Sequence, residues 1–255
     1  MSSPLDADLI GSPATRTRLT LMHGFSQTRR CWGPFADLLA ERYPLLLVDA
    51  PGHGGSEGVI ADVASGAELW GQTAGGAVYL GYSMGGRHAL RLAVDRPDLV
   101  EALVLIGASP GIDDDQERAA RCANDAALAD HLEQVGTDRF LTEWLAQPLF
   151  ATLPTSASHL DERRTNTVEG LATSLRNASS GAQEPLWDRL RGIDIPVLML
   201  VGALDERYTT IAHRMHDAIG ENAMVRVIAD AGHAAHLEQP EASARAVVTW
   251  LERNV

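Results

Sequence analysis

Residues 80–87 decide the fold, and they read Leu80-Gly81-Tyr82-Ser83-Met84-Gly85-Gly86-Arg87. This Gly-x-Ser-x-Gly pattern follows an apolar run at 77–80 and precedes a helical pattern at 88–93. A serine on so tight a strand-to-helix turn is held out above a sheet, and glycines flank it because the turn leaves no room for side chains. The context predicts a catalytic serine at Ser83 and an oxyanion donor in the amide of Met84; the alternative is a structural turn serine.

Composition and charge exclude several classes of function. The 255 residues carry a formal net charge of −13, which argues against nucleic acid and anionic membrane surfaces as partners. Every basic side chain is arginine, so no lysine Schiff base can form. The two cysteines have no metal or redox spacing, and no targeting or membrane-spanning segment is recognisable. We expect a cytoplasmic protein that needs no cofactor or metal and acts on a small molecule, in an oligomeric state that the sequence leaves open.

Strand-like and helix-like segments alternate, which is typical of a parallel sheet with right-handed crossovers. Residues 1–15 are expected to be an irregular lead-in, and strands are predicted at 17–22, 45–48, 77–80, 99–107, 195–202 and 224–228. Helices are predicted at 31–42, 60–73, 88–93, 113–134, 138–146, 165–177, 184–190, 208–219 and 238–253. Because the strand pattern disappears after residue 110, we predict an α/β core of residues 1–110 and 192–255 with a helical cap at 111–191.

Two further residues complete a catalytic arrangement with the serine. A serine needs a general base, and the base needs a carboxylate that fixes its orientation. Asp205 follows the predicted strand at 195–202, and His233 follows the one at 224–228. Their order after Ser83, at the carboxyl ends of parallel strands, predicts that the three lie together. Glu206 and His236 are the competing carboxylate and imidazole.

The loop after the first predicted strand is expected to complete the oxyanion hole. Such a loop carries the second amide donor in this arrangement, and the amide of Phe25 has the right position. His23 and His53, each beside a glycine in a loop that ends a strand, are interpreted as structural groups that tie these loops together.

Taken together, these motifs resemble the α/β-hydrolase superfamily over nearly the whole chain. That resemblance implies the α/β-hydrolase fold, with a mostly parallel central sheet flanked by helices and an inserted helical cap. A narrower resemblance is to the 2-succinyl-6-hydroxy-2,4-cyclohexadiene-1-carboxylate (SHCHC) synthases of menaquinone biosynthesis. It covers the motifs at 21–25, 81–87 and 232–236 and the cap segments at 110–121, 144–150, 163–166 and 180–187.

The narrower resemblance implies a lyase in which the serine and histidine act as a base that eliminates pyruvate, with no acyl-enzyme. Its oxyanion residue matches Phe25, and its substrate-binding residues match Tyr82, Arg87, Arg121, Trp144 and Arg164. The register allows Arg163 in place of Arg164.

Arginine agrees with a polycarboxylate substrate, because its planar fork binds carboxylates through two parallel hydrogen bonds. For Arg121 and Arg164 the alternative is a solvated cap face, and for Trp144 it is core packing. The alternative function is a serine carboxylesterase or C–C bond hydrolase that acts through an acyl-enzyme, but such an enzyme would favour an apolar pocket at Arg87. A complete triad argues against a third possibility, a binding protein without catalysis.

Overall fold

The computed structural model describes residues 4–11, 15 and 17–255. Within these residues, the strands are β1 (Ala7–Ile10), β2 (Leu19–Met22), β3 (Leu45–Val48), β4 (Ala77–Tyr82), β5 (Val100–Ile106), β6 (Val197–Gly202) and β7 (Ala223–Ile228). They form one sheet in the order β1-β3-β2-β4-β5-β6-β7, in which β1 is antiparallel to β3 and the other neighbours are parallel. The predicted fold class is confirmed.

Helices cover both faces of this sheet. They are α1 (Pro34–Ala40), α2 (Val63–Ala74), α3 (Met84–Asp95), α4 (Asp115–Val135), α5 (Thr137–Leu145), α6 (Leu160–Arg163), α7 (Val168–Asn177), α8 (Glu206–Ile219), α9 (Ala235–Glu238) and α10 (Pro240–Asn254). In β5, Leu103 and Leu105 pack in the core that contains side chains of α2, α3 and α8, whereas Ala102 and Val104 pack in the core with α1 and α10. Because successive side chains point to opposite faces, a strand covered on both faces is apolar along most of its length, and β5 is apolar except for the exposed Glu101 near its start.

The chain between β5 and β6 forms α4 to α7, which share a small apolar core. Its buried side chains are Ala129, Leu132, Phe140, Leu141, Leu171, Ala172 and Leu175. Asp114 begins α4 by accepting hydrogen bonds of 2.9 Å from the amides of Gln116 and Glu117, as acidic N-cap residues do. Trp144 of α5 lines the same cavity as Ser83, so this helical block covers the sheet near the serine. The cap boundaries at 110/111 and 191/192 stay a prediction.

The structure differs from the sequence-based expectation mainly near the N-terminus and at element ends. β1 lies within residues 1–15, for which no strand is predicted; residues 1–3 and 12–14 of that segment lie outside the described part of the chain. β2 begins at Leu19 rather than at 17. α1 begins at Pro34 rather than at 31, because the fixed φ of proline suits the first helical turn. The last predicted cap helix is a 3-10 helix at Trp187–Gly192.

No helix among the described residues is both long and apolar enough to cross a membrane.

Candidate active site

Ser83 lies between β4 and α3 in a strained backbone conformation. Its φ of 50° and ψ of −108° are uncommon for a residue with a side chain, and such strain costs about 1–3 kcal/mol. The neighbouring glycines allow the chain to pass close to itself. A Cβ on Gly81 would lie 2.5 Å from the carbonyl oxygen of Gly85, and a Cβ on Gly85 would overlap the carbonyl oxygen of Met22. The tight turn thus holds the serine at the carboxyl end of β4.

The structure brings Ser83, His233 and Asp205 together in one hydrogen-bonded chain. His233 Nδ1 lies 2.9 Å from Asp205 Oδ2, and His233 Nε2 lies 3.2 Å from Ser83 Oγ. The carboxylate can only accept, so Nδ1–H donates to it, which leaves Nε2 of a neutral imidazole free to accept the serine proton. The amide of Tyr208 donates to the other oxygen of Asp205 over 3.1 Å. The arrangement can therefore pass a proton from the serine to the imidazole.

The two competing residues lie elsewhere. Glu206 is exposed. The imidazole of His236 is fully buried against aromatic rings, with its centroid 4.5 Å from that of Tyr82 and 5.2 Å from that of Trp32. Both ring nitrogens of His236 lack a hydrogen-bond partner in the described part of the chain. His236 therefore packs behind the site and does not contact Ser83.

The amides of Phe25 and Met84 are the predicted donors of an oxyanion hole, and that role stays a prediction. Both residues line the cavity that contains Ser83, and the first turn of α3 lies directly against the end of β2. Neither amide donates a hydrogen bond within residues 4–11, 15 and 17–255. Two free amides at this point can stabilise negative charge that develops on a substrate oxygen.

Two buried histidines hold the loops next to Phe25. His23 Nε2 accepts from the amide of Ala50 over 3.0 Å, and its Nδ1–H donates to the carbonyl of Gly24 over 2.8 Å. His53 Nε2 accepts from the amide of Ser26 over 3.1 Å. Burial lowers the pKa of His23 to about 4 and that of His53 to about 3. Both imidazoles are therefore neutral at physiological pH and tie the loops together.

A cavity of about 900 Å³, counting the space at its mouth, lies above Ser83. Tyr82 and Trp144 form part of its wall. The Tyr82 ring is buried, its centroid lies 5.4 Å from that of His233, and burial raises the pKa of its phenol. The Trp144 ring contacts Phe25 at 5.0 Å between centroids. Aromatic packing thus fixes one side of the cavity.

Arg87 and Arg121 also line the cavity, but they differ in what holds them. The Arg87 guanidinium donates to the carbonyl of Ala178 over 2.8 Å and to Gln183 Oε1 over 3.2 Å. Both acceptors are neutral, and Arg87 has no carboxylate partner in the described part of the chain. Burial and the nearby charge of Arg121 lower its pKa to about 10, so it stays charged at neutral pH. Arg121 Nε instead donates to Asp125, at 2.8 and 2.9 Å from its two oxygens.

The structure corrects the assignment of Arg164 as a substrate-binding residue. Arg164 lies outside the cavity, and it forms ion pairs with Asp138 and Asp161 at 2.7 and 2.8 Å. Arg163, the alternative, is 1% exposed and lines the cavity. Consecutive residues at the end of the single-turn α6 point in different directions, so a shift of one residue exchanges a buried arginine for a solvated one.

Arg163 is held by neutral oxygens. Its Nε donates to the carbonyl of Ser158 over 2.7 Å, and its Nη1 donates to Ser26 Oγ over 2.6 Å. Burial lowers the pKa of its guanidinium. Like Arg87, it is a cation in the cavity wall without a carboxylate partner among the described residues.

Several other cavity residues are not predicted from the sequence, among them Tyr208, Asp125 and Arg207. Tyr208 packs its ring on His233 at 4.5 Å between centroids, Asp125 is 2% exposed, and Arg207 is exposed at the start of α8. Asp125 follows Arg121 by four residues, a spacing that brings side chains together on a helix, so this pair is visible in the sequence.

Among residues 4–11, 15 and 17–255, no group of three or more ligating side chains could hold a metal ion.

The chain belongs to the alpha/beta hydrolase family, whose pattern it matches over residues 21–246. Among its relatives, a Bacillus subtilis (strain 168) protein is 32% identical over 94% of this chain and 92% of its own length. Its name assigns it, provisionally, as 2-succinyl-6-hydroxy-2,4-cyclohexadiene-1-carboxylate synthase. The synthase of that name from Klebsiella pneumoniae (strain ATCC 700721) is 31% identical over 88% of this chain and 89% of its own length.

A solved structure, MenH from S. aureus, has a TM-score of 0.89 and 27% identity, and the match covers 97% of this chain and 98% of that one. The resemblance to the hydrolase superfamily and to the synthases is thereby confirmed, and so is the prediction of an enzyme.

Proposed function

We propose that this enzyme is a carbon–oxygen lyase of menaquinone biosynthesis. Its substrate would be 2-succinyl-5-enolpyruvyl-6-hydroxy-3-cyclohexene-1-carboxylate, and its products pyruvate and SHCHC. The observation that carries the proposal is the pair of cavity arginines, Arg87 and Arg163, whose hydrogen bonds go to neutral oxygens. Two desolvated guanidinium groups beside an activated serine favour a substrate with several carboxylates. The named relatives point to the same reaction. The proposal retains the cytoplasmic location expected from the sequence.

The names of substrate and product define the proton and electron movements. The ring double bond of the substrate is at C3, and those of the product are at C2 and C4. A proton must therefore leave C2, which carries the succinyl carbonyl, while the bond from C5 to the enolpyruvyl oxygen breaks. The electron pair of the C2–H bond forms the C2–C3 double bond, and the C3–C4 pair moves to C4–C5. The pair of the broken bond leaves with enolpyruvate, which becomes pyruvate when its methylene carbon takes up a proton, so that the proton removed from C2 is balanced.

The triad supplies the base for this elimination. Ser83 Oγ takes the proton from C2 as its own proton moves to His233 Nε2, and Asp205 stabilises the imidazolium that forms. The succinyl carbonyl gains negative charge as the C2–H bond breaks. The amides of Phe25 and Met84 would donate to that oxygen. No acyl-enzyme and no attacking water are needed.

A pyruvate-release assay tests this proposal. The purified protein is expected to release pyruvate from the cyclohexene substrate, followed by the oxidation of NADH with lactate dehydrogenase, and to hydrolyse neutral p-nitrophenyl esters only at trace rates. Intact-mass spectra of enzyme quenched during turnover should show no adduct on Ser83. Rapid ester hydrolysis with an acylated serine, and without pyruvate release, would identify a serine hydrolase instead.

Replacement of Arg87 by alanine tests the carboxylate-binding role directly. We expect kcat/KM to fall roughly 10- to 100-fold, because a charge-assisted hydrogen bond contributes about 1.5–3 kcal/mol. The free energy of unfolding should change little or increase, since the variant removes a desolvated cation that lacks a carboxylate partner.

The matched control is Arg91→Ala, one turn further along α3. Arg91 lies outside the cavity and pairs with Asp95 and Glu184. Its loss is expected to change kcat/KM less than about two-fold, since exposed pairs contribute little. Equal losses in the two variants would show that Arg87 does not bind substrate.

A further inference from the structure

Arg207 occupies an unusual position at the mouth of the cavity. It is the second residue of α8, two residues after Asp205, and it lines the cavity with Ser83 while remaining exposed. It forms no ion pair and no hydrogen bond through its side chain with the described part of the chain. Its guanidinium lies over the ring of Tyr208, with Cζ 5.9 Å from the centroid.

The fold gains little from a cation at this position. The N-terminus of a helix carries partial positive charge, so an arginine in the first turn is disfavoured by about 0.3–1 kcal/mol. Arg96 and Arg176 each pair with two carboxylates, whereas Arg207, like the exposed Arg226, has no carboxylate partner among the described residues. The position of Arg207 is therefore not explained by stability of the protein alone.

The other charged side chains of the cavity carry less positive charge than the proposed substrate carries negative charge. That substrate carries three carboxylates, on the ring, the succinyl chain and the enolpyruvyl group. Arg87 and Arg163 are without carboxylate partners among the described residues, whereas the charge of Arg121 is compensated by Asp125 at 2.8 Å. Arg87, Arg163 and Arg121 with Asp125 give a net charge of +2 against three carboxylates, and Arg207 adds a further cation without a carboxylate partner among the described residues.

We propose that Arg207 determines specificity at the cavity mouth by binding the carboxylate that Arg87 and Arg163 leave unbound. The substrate named here rests on the proposed function. Arg207 also offsets, at the point of entry, the repulsion between a substrate of charge −3 and a protein of net charge −13. Charge placed at a cleft mouth raises capture rates more than it changes chemistry. Arg207 is thus a binding residue that acts on kcat/KM.

Arg207→Gln, Arg207→Lys and Arg226→Gln test this role together. Arg226 is exposed on β7, outside the cavity, so its loss changes net charge equally without touching the mouth. At low ionic strength, kcat/KM for pyruvate release should fall about two- to five-fold in Arg207→Gln, with kcat nearly unchanged, as for an exposed ionic contact. Arg207→Lys should recover most of the loss, and Arg226→Gln should match the native protein. Equal kcat/KM values in Arg207→Gln and Arg226→Gln would overturn the proposal.

The salt dependence gives a second readout that a structural role would not change. Between about 20 and 300 mM KCl, kcat/KM of the native protein should decline, because surface charges are screened over roughly 10 Å at 0.1 M salt. The decline of kcat/KM with salt should be shallower in Arg207→Gln than in the native protein. In Arg226→Gln it should equal that of the native protein. An unaltered decline in Arg207→Gln would contradict a role in capture.

Binding of simple anions separates this proposal from the proposed function. Citrate, a tricarboxylate, and acetate are titrated calorimetrically into the native protein and the same variants. Arg207→Gln should weaken citrate binding about two- to five-fold, and Arg226→Gln should leave it unchanged. Acetate binding should be the same in all of these proteins. If the native protein releases no pyruvate but citrate binding depends on Arg207, the lyase assignment fails and the polycarboxylate site stands. If pyruvate is released and neither kcat/KM nor citrate binding depends on Arg207, the lyase stands and this inference fails.

Discussion

Replacement of Ser83 by alanine is expected to lower pyruvate release by about 10³-fold, with the fold intact. Ser83 Oγ is 3.2 Å from His233 Nε2, and in the proposed elimination it is the atom that meets the C2 proton. A positioned general base contributes about 10²- to 10⁴-fold, and alanine leaves no atom within reach of that proton. The hydroxyl takes no part in the apolar core, so the thermal unfolding midpoint should change by only a few degrees.

The double variant shows whether serine and imidazole act as one base. If they do, Ser83→Ala/His233→Ala should be no slower than the slower single variant, because each substitution already removes the whole unit. The exposed cap serine Ser156 provides a control, and Ser156→Ala should retain native activity. Losses that multiply in the double variant would mean that His233 abstracts the proton without Ser83.

The positions of the three triad residues are predictable from sequence because the fold orders them. Parallel strands end at one edge of a sheet, so Ser83, Asp205 and His233, which each follow a strand, must lie near that edge. The glycines at 81 and 85 are equally informative, since the backbone around them passes too closely for a side chain. Local geometry and chain order therefore define the centre of the site without any tertiary information.

The arginines that we propose bind substrate are less predictable, because their positions depend on side-chain direction and on contacts distant in sequence. Arg163 and Arg164 are adjacent, yet one contacts Ser26 and the other pairs with Asp138. No local pattern distinguishes them. Arg207 lies in an ordinary helix start, and its placement at the mouth follows from how α8 meets the cap. β1 is also not predicted from the sequence. It is a four-residue strand at the edge of the sheet, it is only partly covered, and it has no apolar run.

Acidification to pH 5.5 is expected to remove a large part of the stability of the folded protein. Four fully buried histidines are the cause: His23, His53, His88 and His236. Burial lowers the pKa of His23 and His88 to about 4 and that of His53 to about 3, and it holds the pKa of His236 well below the usual value. In the unfolded chain these side chains titrate near 6.5. Below that pH the unfolded state binds more protons than the folded state, so stability is complete above pH 6.5 and is lost as the pH falls towards 4.

The expected loss is large because the four contributions act in the same direction. Each histidine costs about 1.4 kcal/mol between pH 7.5 and 5.5, and the four together cost roughly 5 kcal/mol. Total stabilities of folded domains are about 5–15 kcal/mol. Urea unfolding at the two pH values, followed by far-UV circular dichroism and tryptophan fluorescence, measures this difference. Equal free energies of unfolding at pH 7.5 and 5.5 would contradict it.

His236 allows the contribution of one histidine to be isolated. Its ring is surrounded by Trp32, Phe35 and Tyr82, and neither nitrogen has a hydrogen-bond partner in the described part of the chain. Phenylalanine should therefore replace it without loss of a hydrogen bond, and it removes the proton that the unfolded state would gain. His236→Phe is expected to reduce the loss between pH 7.5 and 5.5 by about a quarter, or roughly 1.4 kcal/mol. The control is His213→Gln, because His213 is exposed on α8; this variant should lose as much stability between pH 7.5 and 5.5 as the native protein. If His236→Phe also lost as much stability as the native protein, protonation of His236 would not drive acid unfolding.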